Sequence, residues 1–344
     1  MLSFSVIICT YNRRKILEQG LLAWSRASQL PDQFIVVDAT SDAANYRNDL
    51  VNKFPELFAR SGSNYIITDK PSSTRQRNLG IDLIETDIVC FADDDTFIES
   101  NYIEKILEVF ANDVDHKIGG VNGVARGQFD NWSQRNYRKF RNYVRHHWGS
   151  GMQRIHIPKD QSQLFSPLPT SLHSFPLIHI DRLWGANMSY RAELVKQHRF
   201  DERFNQYGLF EDVDISARIG KTHKLVCRLD AEIEHDDSLG KATRPSDIKY
   251  FLLSWLNSAY VIEKLFPCKE SRAAHRRLFE FVNFSSKVMP QKLCQKKIRT
   301  FGNKELRSLS LRHIETIQSC NNSSSLEEAF SQIQNEIFAI LQKA

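Results

Sequence analysis

Four short apolar runs, at residues 4–9, 33–38, 65–68 and 88–92, alternate with stretches whose apolar side chains recur at helical spacing. That alternation limits the fold more than any other feature of the chain. The helical stretches fall at 12–27, 42–60 and 74–85, with a fourth at 101–111 after the last run. Short continuous runs such as Val6-Ile7-Ile8 and Ile35-Val36-Val37 suit strands buried on both faces, so the pattern predicts an α/β fold: a mostly parallel sheet flanked by helices. Ligands of such sheets bind beyond the carboxyl ends of the strands. The polar residues at those ends are Thr10, Asp38 and the triplet Asp93, Asp94 and Asp95.

With 344 residues, 41% of them hydrophobic, the chain can bury a large core in one domain with an extension or in two smaller domains. A formal net charge of +5 is too small to point to nucleic acid, and no nucleic-acid partner is expected. The six cysteines form no CxxC pair, and Cys9, Cys90 and Cys227 sit in apolar, strand-like runs, which predicts reduced thiols in a reducing compartment. The N-terminus reaches polar residues too early for a signal peptide, and no segment has the roughly 18 uninterrupted apolar residues of a membrane span. A soluble, cytoplasmic chain is expected.

From 126 to 181 the regular pattern fails, and Pro158, Pro167, Pro169 and Pro176 interrupt a stretch rich in Arg, His and aromatic residues. It reads as an insertion in a domain spanning 1–244. Regularity returns with Trp184-Gly185-Ala186-Asn187-Met188-Ser189-Tyr190, a helix over 211–220, and strand-like runs at 224–227 and 231–234. Residues 245–344 read as a C-terminal helical extension, with apolar spacing in Leu326, Phe330, Ile333, Ile337 and Ile340.

The acid triplet poses a physical problem, since like charges repel at the end of a buried strand. A solvated loop is one solution, because Asp favours turns. A divalent cation, Mn2+ or Mg2+, is the other: such ions prefer oxygen ligands, and alternation along an extended chain lets Asp93 and Asp95 act together while Asp94 faces elsewhere. Arg75 and Asn78 share a helix face that could meet a nucleotide, or could simply be solvated. Glu211 and Asp212 stand at a helix start, where acids complement the helix dipole or where one could serve as a general base. His235 follows a strand and is either a further metal donor or an ordinary polar residue. The chain has no G-x-S-x-G elbow, P-loop or G-x-G-x-x-G.

In this order, SVIICTYNR, IVVDATSD, TRQRNLGI, CFADDDTF, WGANMSYR and FNQYGLFEDVDISARIG resemble the family-two glycosyltransferases of the GT-A fold, over about residues 3–235. The resemblance implies that Thr10 and Asp38 contact the nucleobase, that Arg75 and Asn78 support the nucleotide and its phosphates, and that Asp93 and Asp94 lie with the nucleotide sugar. It further implies that Asp95, Asp93 and His235 hold the metal, that Trp184, Gly185 and Asn187 shape the sugar and acceptor pocket, and that Asp212 is the base with Glu211 as an acceptor contact.

The implied reaction is metal-dependent, inverting transfer from a nucleotide-sugar donor, UDP-sugars first, to a hydroxyl of a glycan or lipid-linked acceptor in polysaccharide or glycoconjugate synthesis. The Gln-x-x-Arg-Trp signature of processive, membrane-spanning members is missing, so transfer of a single sugar is expected. A noncatalytic nucleotide- or glycan-binding module and a nucleotidyltransferase are the alternatives. The second would want a glycine-rich loop after the first strand, and Cys9-Thr10-Tyr11-Asn12-Arg13-Arg14 has no glycine. Basic residues with interleaved aromatics at 126–160, and a second basic region at 264–312, fit peripheral contact with an anionic membrane at its inner face, or a solvated surface.

Overall fold

The computed structural model describes residues 2–126, 168–205, 208–235, 247–265, 273 and 304–342. They fall into two compact units, one built from the described residues up to 235 and one from those beyond 246.

In the first unit β1 (Phe4–Thr10), β2 (Gln33–Asp38), β3 (Asn64–Ile67) and β4 (Ile88–Asp93) pair in parallel in the order β3-β2-β1-β4. The connections carry α1 (Arg14–Ser25), α2 (Arg47–Lys53), α3 (Pro55–Phe58) and α4 (Ser73–Ile81). The helix expected over 42–60 is broken into a 3-10 turn at Ala43–Asn45 followed by α2 and α3. Pro55 is the reason: it lacks the N–H that would continue α2, yet its fixed φ suits the first position of α3.

Beyond β4 come β5 (Thr96–Ile98), α5 (Tyr102–Ala111), β6 (Ile118–Ala125), β7 (Leu177–His179), β8 (Asn187–Arg191), α6 (Ala192–His198), α7 (Glu211–Ile219) and β9 (Lys224–His235). The sheet continues β4-β8-β6-β9-β5, with β7 also on β9. Here only β6 and β9 are parallel, so the parallel sheet read from the sequence occupies the first four strands and the rest is mixed. The runs at 224–227 and 231–234 are one continuous strand. Residues 168–181, expected in the insertion, close the core instead: Leu172 is fully buried and β7 pairs with β9. Residues 127–167, and with them nearly all of the first basic stretch, lie outside the described residues, as does most of the second.

Alternation along the strands builds two cores. Val6, Ile8, Phe34, Val36 and Cys90 face Leu17, Leu21 and Trp24 of α1 and Ile103 and Ile106 of α5. Ile7, Ile35, Val37, Val89 and Phe91 face Ile81 of α4, Val195 of α6, and Ile215 and Ile219 of α7. Each such side chain stabilises the fold by roughly 1.5–3 kcal/mol when fully buried. Trp24 meets Phe34 and Tyr102 edge to face at 6.2 and 6.3 Å. Helix α4 lies close against the sheet because position 80 is glycine: a Cβ there would fall 2.7 Å from Ile7 Cγ2.

The second unit packs α8 (Asp247–Leu265) against α9 (Lys304–Ser319) and α10 (Ser323–Gln342). Leu326, Phe330, Ile333 and Ile337 form the buried stripe of α10, and the Phe330 ring stacks on Tyr260 of α8 at 4.0 Å. Among the described residues no helix is long and apolar enough to cross a membrane.

Candidate active site

The carboxyl ends of β2, β1 and β4 are neighbours in the sheet, which brings Asp38, Thr10 and Asp93 to one edge. Asp38 is fully buried there. Its Oδ2 accepts the hydroxyls of Tyr46 (2.7 Å) and Tyr65 (2.6 Å), and its Oδ1 accepts the backbone N–H of Thr40 (2.8 Å). In this structure it braces two tyrosines and the loop after β2. Thr40 Oγ1 accepts the N–H of Asn12, whose left-handed backbone (φ 54°) turns the chain into Arg13 and α1.

The three aspartates part company. Asp93 and Asp95 turn toward His235 at the end of β9, and their oxygens and an imidazole nitrogen lie within 4.8 Å of one another. His235 Nε2 is 3.1 Å from Asp95 Oδ1 and 3.9 Å from Asp93 Oδ2. Asp94 turns the other way and accepts the Thr10 hydroxyl at 2.7 Å. Arg13 spans the divergence, with one terminal nitrogen 2.5 Å from Asp94 Oδ1 and the other 2.6 Å from Asp95 Oδ2. Burial pushes Asp94 up to about 7 against the pull of Arg13 and Thr10. Burial also acts to raise Asp95, but hydrogen bonds from His235 and Arg13 outweigh it and hold the group below the ordinary carboxylate range. From behind, α1 supports the triplet through Gly20, where a Cβ would lie 2.7 Å from the Asp94 carbonyl oxygen.

The second acidic group opens α7. Phe210, just before it, has φ 75°, a left-handed conformation that costs a non-glycine residue roughly 1–3 kcal/mol and aims the next two side chains at the strand ends. Glu211 is buried and accepts Arg77 at 2.8 Å; burial pushes it up to about 7, and the nearby arginine only partly counters that. Asp212 Oδ2 faces the Gly185 N–H at 3.3 Å, its Oδ1 accepts the Val213 N–H at 2.8 Å, and Arg182 stands 4.0 Å away. Arg77 ties the two acidic groups together. Besides Glu211 it meets Asp93 at 3.4 Å and the Gly185 carbonyl at 3.3 Å, and its guanidinium lies over the Phe200 ring. Trp184 packs edge to face on His235 at 5.0 Å, which holds the imidazole toward the aspartates.

Thus Thr10, Asp93, Asp94, Asp95, Trp184, Gly185, Glu211, Asp212 and His235 come together at this edge. Arg75 and Asn78 diverge despite their spacing. Asn78 is buried and braces the 200–202 turn through the Phe200 backbone and Glu202, while Arg75 is partly exposed, 4.0 Å from Asp69. Asn187 is wholly buried, and neither amide atom has a hydrogen-bond partner among the described residues. The sequence reading did not single out Arg13, Arg77 or Arg182. Arg13 lies inside the run after β1, and Arg77 on a helix polar on several faces, so periodicity could not choose it over Arg75. Two carboxylates and one imidazole, gathered around a point with Asp93 41% exposed at its side chain, fit a divalent cation that also takes oxygen ligands from elsewhere.

Residues 5–171 match the family described as Glycosyl transferase family 2. Among solved structures, the chain is similar to the mannosyltransferase PcManGT from Pyrobaculum calidifontis in complex with GDP-Man and Mn2+, with 12% identity and a TM-score of 0.52, covering 98% of this chain and 87% of that one. It also matches S. aureus TarS 1-349 in complex with UDP-GlcNAc, at 13% identity and a TM-score of 0.47 over 97% of this chain and 91% of that one. No match among curated proteins was found. At such identities the likeness speaks for the fold, which is of the GT-A type.

Proposed function

From the match of residues 5–171 to the family described as Glycosyl transferase family 2, we propose that this chain is a glycosyltransferase that moves a single sugar from a nucleoside diphosphate sugar to a hydroxyl of a glycan or lipid-linked acceptor, with inversion and with the help of Mn2+ or Mg2+. One observation carries the reading: Arg77 joins the Asp93, Asp95 and His235 cluster to the Glu211–Asp212 pair, so that a leaving diphosphate and an attacking hydroxyl would meet across one guanidinium.

When bound, the cation would supply counter-charge to the departing diphosphate, held by Asp93, Asp95 and His235. The remaining steps belong to the chain. Asp212 takes the proton of the acceptor hydroxyl as that oxygen attacks the anomeric carbon, and the bond to the diphosphate oxygen breaks on the opposite face. No covalent sugar intermediate is needed. The N–H groups of Gly185 and Val213 orient the Asp212 carboxylate and leave it further lone pairs for the acceptor proton. Glu211 is the poorer base, because Arg77 holds it within the protein. Arg77 itself faces the charge that develops between donor and acceptor, and its stacking on Phe200 keeps it there.

A panel of UDP-, GDP- and dTDP-sugars with Mn2+ present, read by thermal shift and by release of nucleoside diphosphate, tests the proposal. A UDP-sugar is the first candidate. Stabilisation and turnover with one donor class are expected, and the absence of both across the panel would sink the reading.

A further inference from the structure

Asp93, Asp94, Asp95 and Glu211 bring four carboxylates together, yet Asp94 and Asp95 are only 2% and 3% exposed, so water screens them little. Among the described residues, the cationic groups paired with them are Arg13, Arg77 and, when protonated, His235. Arg13 is the one that grips the triplet at its divergence, placing the two ends of a single planar fork on two different carboxylates.

The pose is fixed from the backbone outward. Asn12 enters it in the left-handed region and is tied to Thr40, and the Arg13 carbonyl accepts the N–H groups of Ile16 and Leu17 as α1 begins. The side chain gives up something in return: Nε is buried without a hydrogen-bond partner among the described residues, so the arrangement satisfies the acids rather than the arginine. It also competes for Asp95. Oδ2 takes Arg13 and Oδ1 takes His235, although Asp95 is one of the three residues gathered for the cation.

We propose that Arg13 is a resident counter-cation of the acid triplet, a positioning residue that weakens the site for a bare dication and thereby makes metal binding depend on the diphosphate of the donor. The inference rests on the reading of this edge as a metal and nucleotide-sugar site. With Arg13 on Asp95, a cation at Asp93, Asp95 and His235 faces a partly neutralised set of ligands, and the missing negative charge arrives with the nucleotide. Linkage makes the effect reciprocal, so the metal tightens the nucleotide by the same factor as the nucleotide tightens the metal. The arginine also keeps the buried acids compatible with the fold before either ligand binds.

The test measures Mn2+ binding to the full chain by electron paramagnetic resonance of the free ion: Mn2+ alone, then with UDP, then with GDP, corrected for the Mn2+ that each nucleotide binds in solution. For the wild type, affinity at least about tenfold higher with one of the nucleotides is expected. Arg13→Gln should bind Mn2+ alone at least about tenfold more tightly than the wild type, lose most of the nucleotide dependence, and show a lowered metal-free Tm that Mn2+ restores. Arg13→Lys, which keeps the charge but not the fork, should stay closer to the wild type. If Arg13→Gln binds Mn2+ alone no more tightly than the wild type, the role of Arg13 is overturned and the proposed activity stands. Equal Mn2+ affinity of the wild type with and without both nucleotides overturns it too, even should Arg13→Gln fail to fold. A wild type that binds no Mn2+ under any of these conditions takes down this inference and the metal-dependent reading together.

Discussion

The Asp93–Asp95 triplet and the Glu211–Asp212 pair are both acidic and both meet Arg77, but the protein holds them in opposite ways. In the triplet every member has a basic partner: Arg13 takes Asp94 and Asp95, His235 takes Asp95, and Arg77 approaches Asp93. In the pair the work is divided. Glu211 is withdrawn into the protein on Arg77, whereas Asp212 is oriented by two backbone N–H groups and, among the described residues, has a cation no nearer than Arg182 at 4.0 Å. A cluster already paired with basic groups is suited to exchanging one cation for another, and a carboxylate oriented without a close cation is suited to accepting a proton. The same residue type thus gains two chemistries from its neighbours.

Removing the metal side of the comparison should have the largest effect. Asp95→Ala, or EDTA on the wild type, is expected to lower transfer by at least about 1,000-fold, since several kcal/mol of leaving-group stabilisation is lost. Circular dichroism checks that the fold persists, and full activity in EDTA would refute the proposed metal dependence.

The base side should respond next. Asp212→Asn keeps the shape but cannot take the proton, so turnover should fall roughly 100-fold to 10,000-fold with little change in donor binding. Its control is Asp214→Asn. Asp214 is fully buried and paired at 2.7 Å with Arg218, four residues on. Breaking such a buried pair destabilises by about 3–5 kcal/mol, so Asp214→Asn should lower Tm more than turnover. Near wild-type turnover in Asp212→Asn would move the base elsewhere.

Arg77 sharpens the contrast, because it belongs to both groups. Arg77→Met leaves Glu211 buried without its cation and should destabilise the protein by about 3–5 kcal/mol. Adding Glu211→Gln should recover part of that Tm loss without restoring activity. Recovery of neither would mean that Arg77 supports the fold through Phe200 and Gly185 instead.

The smallest effect concerns pH. Burial raises Glu211 from 4.5 to about 7 in the folded state, so between those values the folded protein holds a proton that the unfolded chain has released. This contribution is fully present below about 4.5 and is lost as pH rises through about 7. Glu211→Gln should therefore flatten the decline in Tm over that window; an unchanged slope would show that Glu211 does not titrate there.

The sequence disclosed the parallel half of the sheet well, because β1, β2 and β4 are continuous apolar runs bounded by polar residues. It disclosed the other half poorly. Strand β6, Ile-Gly-Gly-Val-Asn-Gly-Val-Ala, is interrupted by three glycines that weaken any strand signal, and β5 is three residues long. Of the site, the acids were visible because carboxylates at strand and helix ends are unusual enough to ask for a reason. The arginines that govern them were not. Arginine is common on surfaces, and only the packing of α4 on the sheet turns Arg77 inward while leaving Arg75 partly exposed. Asp38 shows the converse: a polar residue at the right strand end whose oxygens are taken up by Tyr46, Tyr65 and Thr40, partners that no local pattern announces.

Gly20 gives the acid triplet a vulnerability that has nothing to do with charge. In most exposed helix interiors, replacing glycine by alanine favours the helix by about 1 kcal/mol. In α1 the added methyl would meet the Asp94 carbonyl oxygen at 2.7 Å, so the helix or the strand end must give way. A helix-favouring substitution therefore becomes a lever on the site, able to shift Asp94, and with it the grip of Arg13, without touching a single polar side chain. The tolerance of this edge to change is set on its hidden side, by the one residue that has no side chain to move.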